Sequence, residues 1–337
     1  MNSKYLLPIL VLAFSSCSSG KAAFEGAETL TWADFPSQQE LHGRTLFEDE
    51  VIMPFGIQVY DSLLVSLEYE SEQFCQLLNL NTQQKIGDRL SKGGGPDDAV
   101  MPMIVYNDQQ AVQFNDMARG TILTYELADF ISQPTVKPAA VLKLQAEGIL
   151  NVVPVNKGYV ASRHGQKNQL CLFDEQGKKV SEMAPYPNCL AEQYPDHKMA
   201  DVYVMGLASN GSDRLAMCYY MNNLIEIYDK DGNKVKTWFG PEPQVYTLGA
   251  KKEQNIDTYF KPAPAGDSFM VLYNGRRIRE EGHNSSCTKL LSFSWDGTPE
   301  CVYTLDDPIF TFCVDAQRRK IYGVSETPEF HIVEYDY

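Results

Sequence analysis

One short pattern recurs six times along this chain, and it limits the possible folds more than any other feature. Its clearest copies are Leu170-Cys-Leu-Phe-Asp-Glu-Gln-Gly-Lys178, Ile225-Glu-Ile-Tyr-Asp-Lys-Asp-Gly-Asn233 and Leu290-Leu-Ser-Phe-Ser-Trp-Asp-Gly-Thr298. In each, apolar residues alternate and then give way to a turn that contains a glycine. Alternation with a period of two marks a strand with one buried face, and the glycine supplies the positive φ of a tight hairpin. Weaker copies lie at Leu77–Leu80, Ile122–Tyr125 and His331–Tyr335. Aligning Leu80, Tyr125, Phe173, Tyr228, Phe293 and Tyr335 gives steps of 45, 48, 55, 65 and 42 residues. Repeats of this length with four strands each predict an all-β, six-bladed β-propeller of four-stranded antiparallel blades. A β-sandwich has no need of six related copies.

The predicted blades span residues 52–92, 101–145, 148–184, 200–239, 258–305 and 308–337. The sixth stops after its third strand, whereas a spare strand-like segment, Leu41 to Val51, precedes the first. Pairing that segment into the last blade closes the ring and removes an exposed sheet edge.

The chain opens with the layout of an export signal: Lys4, an apolar run from Tyr5 to Phe14, then Ser15, Ser16 and Cys17. The run is too short to span a bilayer. Small residues before a cysteine resemble a lipobox, which implies cleavage before Cys17, lipid on its sulfur, and attachment to the membrane. The expected organisation is a signal peptide at 1–16, a lipid-anchored tether at 17–40 and a propeller at 41–337. The expected location is the cell envelope, on the periplasmic side or the outer-membrane surface.

Acidic residues outnumber basic ones 44 to 29, a formal charge of −15, which argues against a nucleic-acid partner. Cys75, Cys171, Cys189, Cys218, Cys287, Cys301 and Cys313 are odd in number, show no C-x-x-C spacing and sit in apolar runs, so they are expected as buried thiols. No metal site or cofactor is expected. Asp229-Lys-Asp231-Gly232-Asn233 has a calcium-like look, but its glycine comes too early for an EF-hand loop and a hairpin turn accounts for it.

Taken with the lipobox and the Φ-x-Φ-Asp-x-x-Gly-Lys turns, the Gly-rich segment Ser91-Lys-Gly-Gly-Gly-Pro-Asp-Asp98 resembles the TolB-like six-bladed β-propeller lipoproteins of Bacteroides-type bacteria. Asp97 and Asp98 depart from the Gly and Glu usual there. The resemblance covers nearly the whole chain after the signal peptide and implies a binding or scaffolding module more than an enzyme.

In a propeller, the turns between second and third strands and the links between blades gather at one mouth of the central channel. They bring Arg119, Arg163, His164 and the cluster Arg276, Arg277 and Arg279 there, with His283. Tyr186, Tyr194 and Tyr246 lie in the links. Guanidinium forks match carboxylate and sulfate oxygens, so the expected ligand is an anionic glycan or peptide, with a protein as a further option. The alternative use of the same mouth is a hydrolase or lyase acting on a glycan or peptide; no catalytic residue is assigned.

Overall fold

The structure, a computed structural model, describes residues 24–48, 50–107, 111–189, 200, 202–242, 256–277 and 286–337. The alternating runs become strands, and the strands form six antiparallel sheets in chain order. Blade 1 comprises Pro54–Tyr60, Leu63–Glu68, Cys75–Asn79 and Gln84–Arg89, and blade 2 Pro102–Ile104, Ala111–Asp116, Thr121–Glu126 and Ala140–Lys143. Blade 3 comprises Ile149–Val155, Gly158–Arg163, Asn168–Asp174 and Lys179–Pro185, and blade 4 Met205–Ser209, Arg214–Tyr219, Leu224–Asp229 and Lys234–Phe239. Blade 5 comprises Ile256–Ala265, Ser268–Arg277, Cys287–Ser294 and Pro299–Ile309. Blade 6 takes Thr311–Asp315, Lys320–Ser325 and His331–Asp336 from the end of the chain and its fourth strand, Arg44–Leu46, from the beginning. The ring therefore closes as the sequence predicts, with Leu46 opposite Ile332 and Arg44 opposite Glu334.

The core is divided into six apolar clusters, one between each pair of neighbouring blades. The middle strands are buried on both faces, one against the blade before and one against the blade after, whereas the outer strands such as Gln84–Arg89 and Ala140–Lys143 are largely exposed. The seven cysteines after Cys17 are buried and none of them is disulfide-bonded.

The repeated turns are built as their sequence suggests. The Asp174 carboxylate accepts the N–H groups of Gln176 and Lys178 at 3.0 and 2.9 Å, and that of Asp229 accepts those of Asp231 and Asn233 at 3.0 and 2.8 Å. The calcium-like run thus turns its first carboxylate onto its own backbone. Gly177 has φ of 73°, and a Cβ there would fall 2.2 Å from the carbonyl oxygen of Lys143 in the adjacent blade.

Two expectations need correction. In blades 3, 4 and 5 a pairing shift falls just before Phe173, Tyr228 and Phe293, and in blade 1 it falls just before Leu78. The residue equivalent to those aromatics is therefore Leu78, not Leu80. Phe173 pairs with Lys179, whereas Leu78 pairs with Lys85, so the blade 1 turn is one residue longer. Residues 24–40, expected as part of a tether, instead run along the outer wall of the ring. Phe24 bridges to Cys189 in the link after blade 3, Glu28–Thr29 pairs parallel to the outer strand of blade 4, and Ser37–Leu41 pairs parallel to that of blade 5. Phe24, Leu30, Phe35 and Leu41 are buried along the way. This strap binds three blades before its chain closes the sixth. Cys17 lies outside the described residues.

Candidate functional site

Among the described residues, the expected arginines do not converge on one mouth. Arg119 stands in the turn between the second and third strands of blade 2. Its guanidinium donates to the carbonyl oxygens of Asp98, Gly93 and Gly95 at 2.8, 3.1 and 3.0 Å, and its Nε lies 3.6 Å from the Asp116 carboxylate. The Gly-rich segment is thereby a clamped surface loop. Asp98 folds back to accept the N–H of Gly95 at 3.0 Å, and a Cβ on Gly93 or Gly95 would meet the Asp98 carboxylate at 2.5 or 2.7 Å.

Arg163 is buried at the end of the second strand of blade 3. It donates to the Glu147 carbonyl oxygen at 3.0 Å and pairs with Glu182 at 2.8 Å. Hydrogen bonds from Lys179 and Arg163 hold the Glu182 carboxyl below the usual carboxylate range. Arg163 and His164 do line a common cavity of about 100 Å³ between blades 3 and 4, together with Tyr186. Arg119 is not among the residues that line it. Arg276 is exposed in the second strand of blade 5, opposite Asp257 in the register. Arg279, His283, Tyr194 and Tyr246 lie outside the described residues, as does the side chain of Arg277.

The channel offers a different site. At the end where the inner strands begin, five blades enclose a cavity of about 170 Å³. Phe55 comes from blade 1, Ile104 and Tyr106 from blade 2, Val152 from blade 3, Leu207 and Tyr220 from blade 4, and Lys261 from blade 5. Among the described residues lining it there is no carboxylate, histidine or cysteine. Burial pushes the Tyr220 hydroxyl up to about 12 and the Tyr106 hydroxyl higher still, so both remain protonated donors near neutral pH.

Lys261 is the one cation in this lining. It sits in a bulge: Phe260 pairs with Leu272 and Ala263 with Met270, so Lys261 and Pro262 stand against Val271 alone. The bulge gives Lys261 a φ of 48°, rare for a residue with a side chain. Pro262 presses on the inner strand of blade 4, where a Cβ on Gly206 would lie 2.2 Å from the proline Cδ. The Lys261 ammonium lies 4.4 Å from the centre of the Phe55 ring, reaching from blade 5 to blade 1. Burial pushes it down to about 8.

Sequence reasoning missed Lys261. Phe260-Lys261-Pro262 reads as an ordinary strand edge; Pro262 inside the inner strand Ile256–Ala265 is the one local signal of a bulge, and it does not show which way the lysine turns.

Comparison with known proteins agrees with this architecture. Residues 31–317 match the family model described as TolB-like 6-blade propeller-like. No curated protein matches the chain in sequence at a significant level. Among solved structures, a member of the DUF4221 family from Bacteroides vulgatus is similar at a TM-score of 0.62 and 8% identity, over 88% of this chain and 95% of that one. A putative exported protein from Bacteroides fragilis is similar at a TM-score of 0.54 and 10% identity, over 89% and 98%. At such identities the likeness is one of fold.

Proposed function

The chain belongs to the TolB-like six-blade propeller family, and from that premise we propose that it is an exported, lipid-anchored, non-catalytic binding module of the cell envelope. The observation that carries the binding reading is the channel cavity. Five blades contribute largely apolar walls and a few polar groups, Lys261, Tyr220 and Asn151, to one cavity at the mouth of the channel. Such a composition suits recognition of a ligand in a preformed pocket. Hydrolysis of a glycan or peptide calls instead for a pair of carboxyls or a nucleophile beside a base.

The lipid anchor is supported by the run from Lys4 to Cys17 and by the place where the strap begins. Phe24 pairs beside Cys189, on the face that carries the links between blades and the mouth of the cavity. The chain from Cys17 to Phe24 reaches at most about 24 Å when extended, so lipid on Cys17 holds the propeller by the rim of that face.

Two measurements test the proposal. Cys17→Ala should abolish lipid labelling and release the protein from membranes; unchanged membrane retention without lipid would overturn the anchor. Purified protein should bind at least one member of a glycan, peptide and small-acid panel without consuming it. Turnover of any member would replace the binding reading with an enzymatic one.

A further inference from the structure

We propose that the mouth end of the channel binds a small organic monocarboxylate, its carboxylate on the Lys261 ammonium and its apolar body against Phe55, Ile104, Val152 and Leu207. The inference rests on the binding-module reading and names its ligand class.

The first argument is the isolation of the charge. In this acidic chain half of the described lysines pair with a carboxylate, among them Lys137 with Asp97 at 2.9 Å, Lys179 with Glu182 at 2.9 Å, Lys234 with Glu226 at 2.5 Å, Lys236 with Glu28 at 2.7 Å and Lys320 with Glu334 at 3.0 Å. Lys261 has only the face of Phe55 among the described residues. Desolvation lowers its ammonium, and among the described residues no carboxylate lifts it back. Lys261 is half-buried, and a charge partly withdrawn from water with no partner destabilises the protein until something pairs with it.

The second argument is that the backbone is arranged to hold it there. A left-handed residue in the middle of an inner strand is strained, and such strain persists where the surroundings enforce it, often at ligand sites. Here the enforcing contact is Pro262 against Gly206. The bulge turns Lys261 toward the axis, whereas regular pairing would alternate it between neighbouring blades.

The class of anion follows from the walls. One cation matches one negative charge. A phosphate or sulfate ester would leave further charge and acceptors facing Phe55, Val152 and Leu207, and a sugar would leave hydroxyls there. A carboxylate can take the ammonium and the Tyr220 hydroxyl as donors while an apolar body fills the remainder. A cavity of about 150 Å³ accommodates benzene, so 170 Å³ suits an acid of benzoate size.

The test uses benzoate, titrated by calorimetry into the soluble chain from Ser18 onward. Wild-type protein should bind benzoate and fail to bind benzyl alcohol at the same concentration. Lys261→Met should weaken benzoate at least tenfold, while Lys261→Arg and the exposed control Lys178→Met should stay within about threefold. Affinity should hold below about pH 8 and fall as the ammonium loses its proton above it. The Tyr106 and Tyr220 hydroxyls that face the same space titrate well above that range.

A second readout needs no ligand. Because the folded-state pKa of Lys261 lies below its unfolded value of about 10.4, wild type should gain stability relative to Lys261→Met as pH rises from about 8 to about 10. Below that window Lys261→Met should melt at the same temperature as wild type or higher, which separates lost binding from lost folding. Absence of benzoate binding to wild type, or equal binding by Lys261→Met, overturns the inference. If another panel member then binds with an affinity indifferent to Lys261→Met, the binding-module reading stands and the carboxylate site falls alone.

Discussion

Replacing Leu30 with alanine should lower the melting temperature of the whole ring, although Leu30 lies outside all six blades. Its side chain is fully buried between blades 4 and 5 with Trp238, Tyr273 and Phe293, and its N–H donates to the Phe239 carbonyl oxygen at 2.8 Å. Leu→Ala at such a site costs about 2–5 kcal/mol, the transfer of the lost carbons plus the cavity left behind. The neighbours here are large and ring-shaped and cannot collapse fully, so about 3 kcal/mol is the expected loss. For a domain of this size each kcal/mol moves the midpoint by about 2 °C, which gives a fall of about 6 °C in calorimetric melts of the chain from Ser18 onward. Glu28→Ala serves as the control. It removes an exposed pair with Lys236 at 2.7 Å, worth less than about 1 kcal/mol, and should shift the midpoint by under about 2 °C. If Leu30→Ala melts within about 1 °C of wild type, the strap frays independently and does not belong to the cooperative unit.

The closing strand should loosen in acid. Burial pushes Glu334 up, but hydrogen bonds and charge from Arg44 and Lys320 more than reverse this and hold it below the usual carboxylate range. Its contribution is therefore full above the ordinary glutamate value and lost as pH falls through the depressed one; Glu334→Gln should flatten the acid side of a plot of melting temperature against pH, and an unchanged slope would refute the assignment. Arg119→Ala should expose the loop at 91–98 to limited proteolysis while lowering the melting temperature only slightly, since the guanidinium holds three carbonyl oxygens of that loop; cleavage no faster than in wild type would show that the loop holds itself.

The blades were legible in the sequence because their signals are local. Alternation and the Asx-Gly turn are each written within nine residues, and the turn's hydrogen bonds form between near neighbours. In blade 1 the run Leu77-Leu-Asn-Leu80 offers leucines at both 78 and 80 where other blades offer one aromatic, and only the pairing shift before Leu78 distinguishes them. The strap escaped notice because Ser-Gln-Gln-Glu-Leu, at 37–41, carries almost no apolar pattern. Its pairing to blade 5 is made by the main chain, and four of its five side chains are left at least partly exposed. Backbone groups are the same for nearly every residue, so a strand held chiefly by them leaves little trace in composition.

The charged residues follow the same logic in reverse. Arg119 stands in a turn and Arg163 at the end of a strand, yet their positions in the sequence could not show that carbonyl oxygens of a glycine loop and the carboxylate of Glu182 already accept from them. An arginine brings five donors, and a folded chain has many unsatisfied carbonyls at turns, so internal capture is the default fate of a loop arginine. Lys261 differs in two respects. It arrives on an inner strand, and a bulge aims it at largely apolar walls that hold no carboxylate among the described residues. A charge becomes available to a ligand when the fold withholds internal partners from it, and that condition is set by packing across five blades.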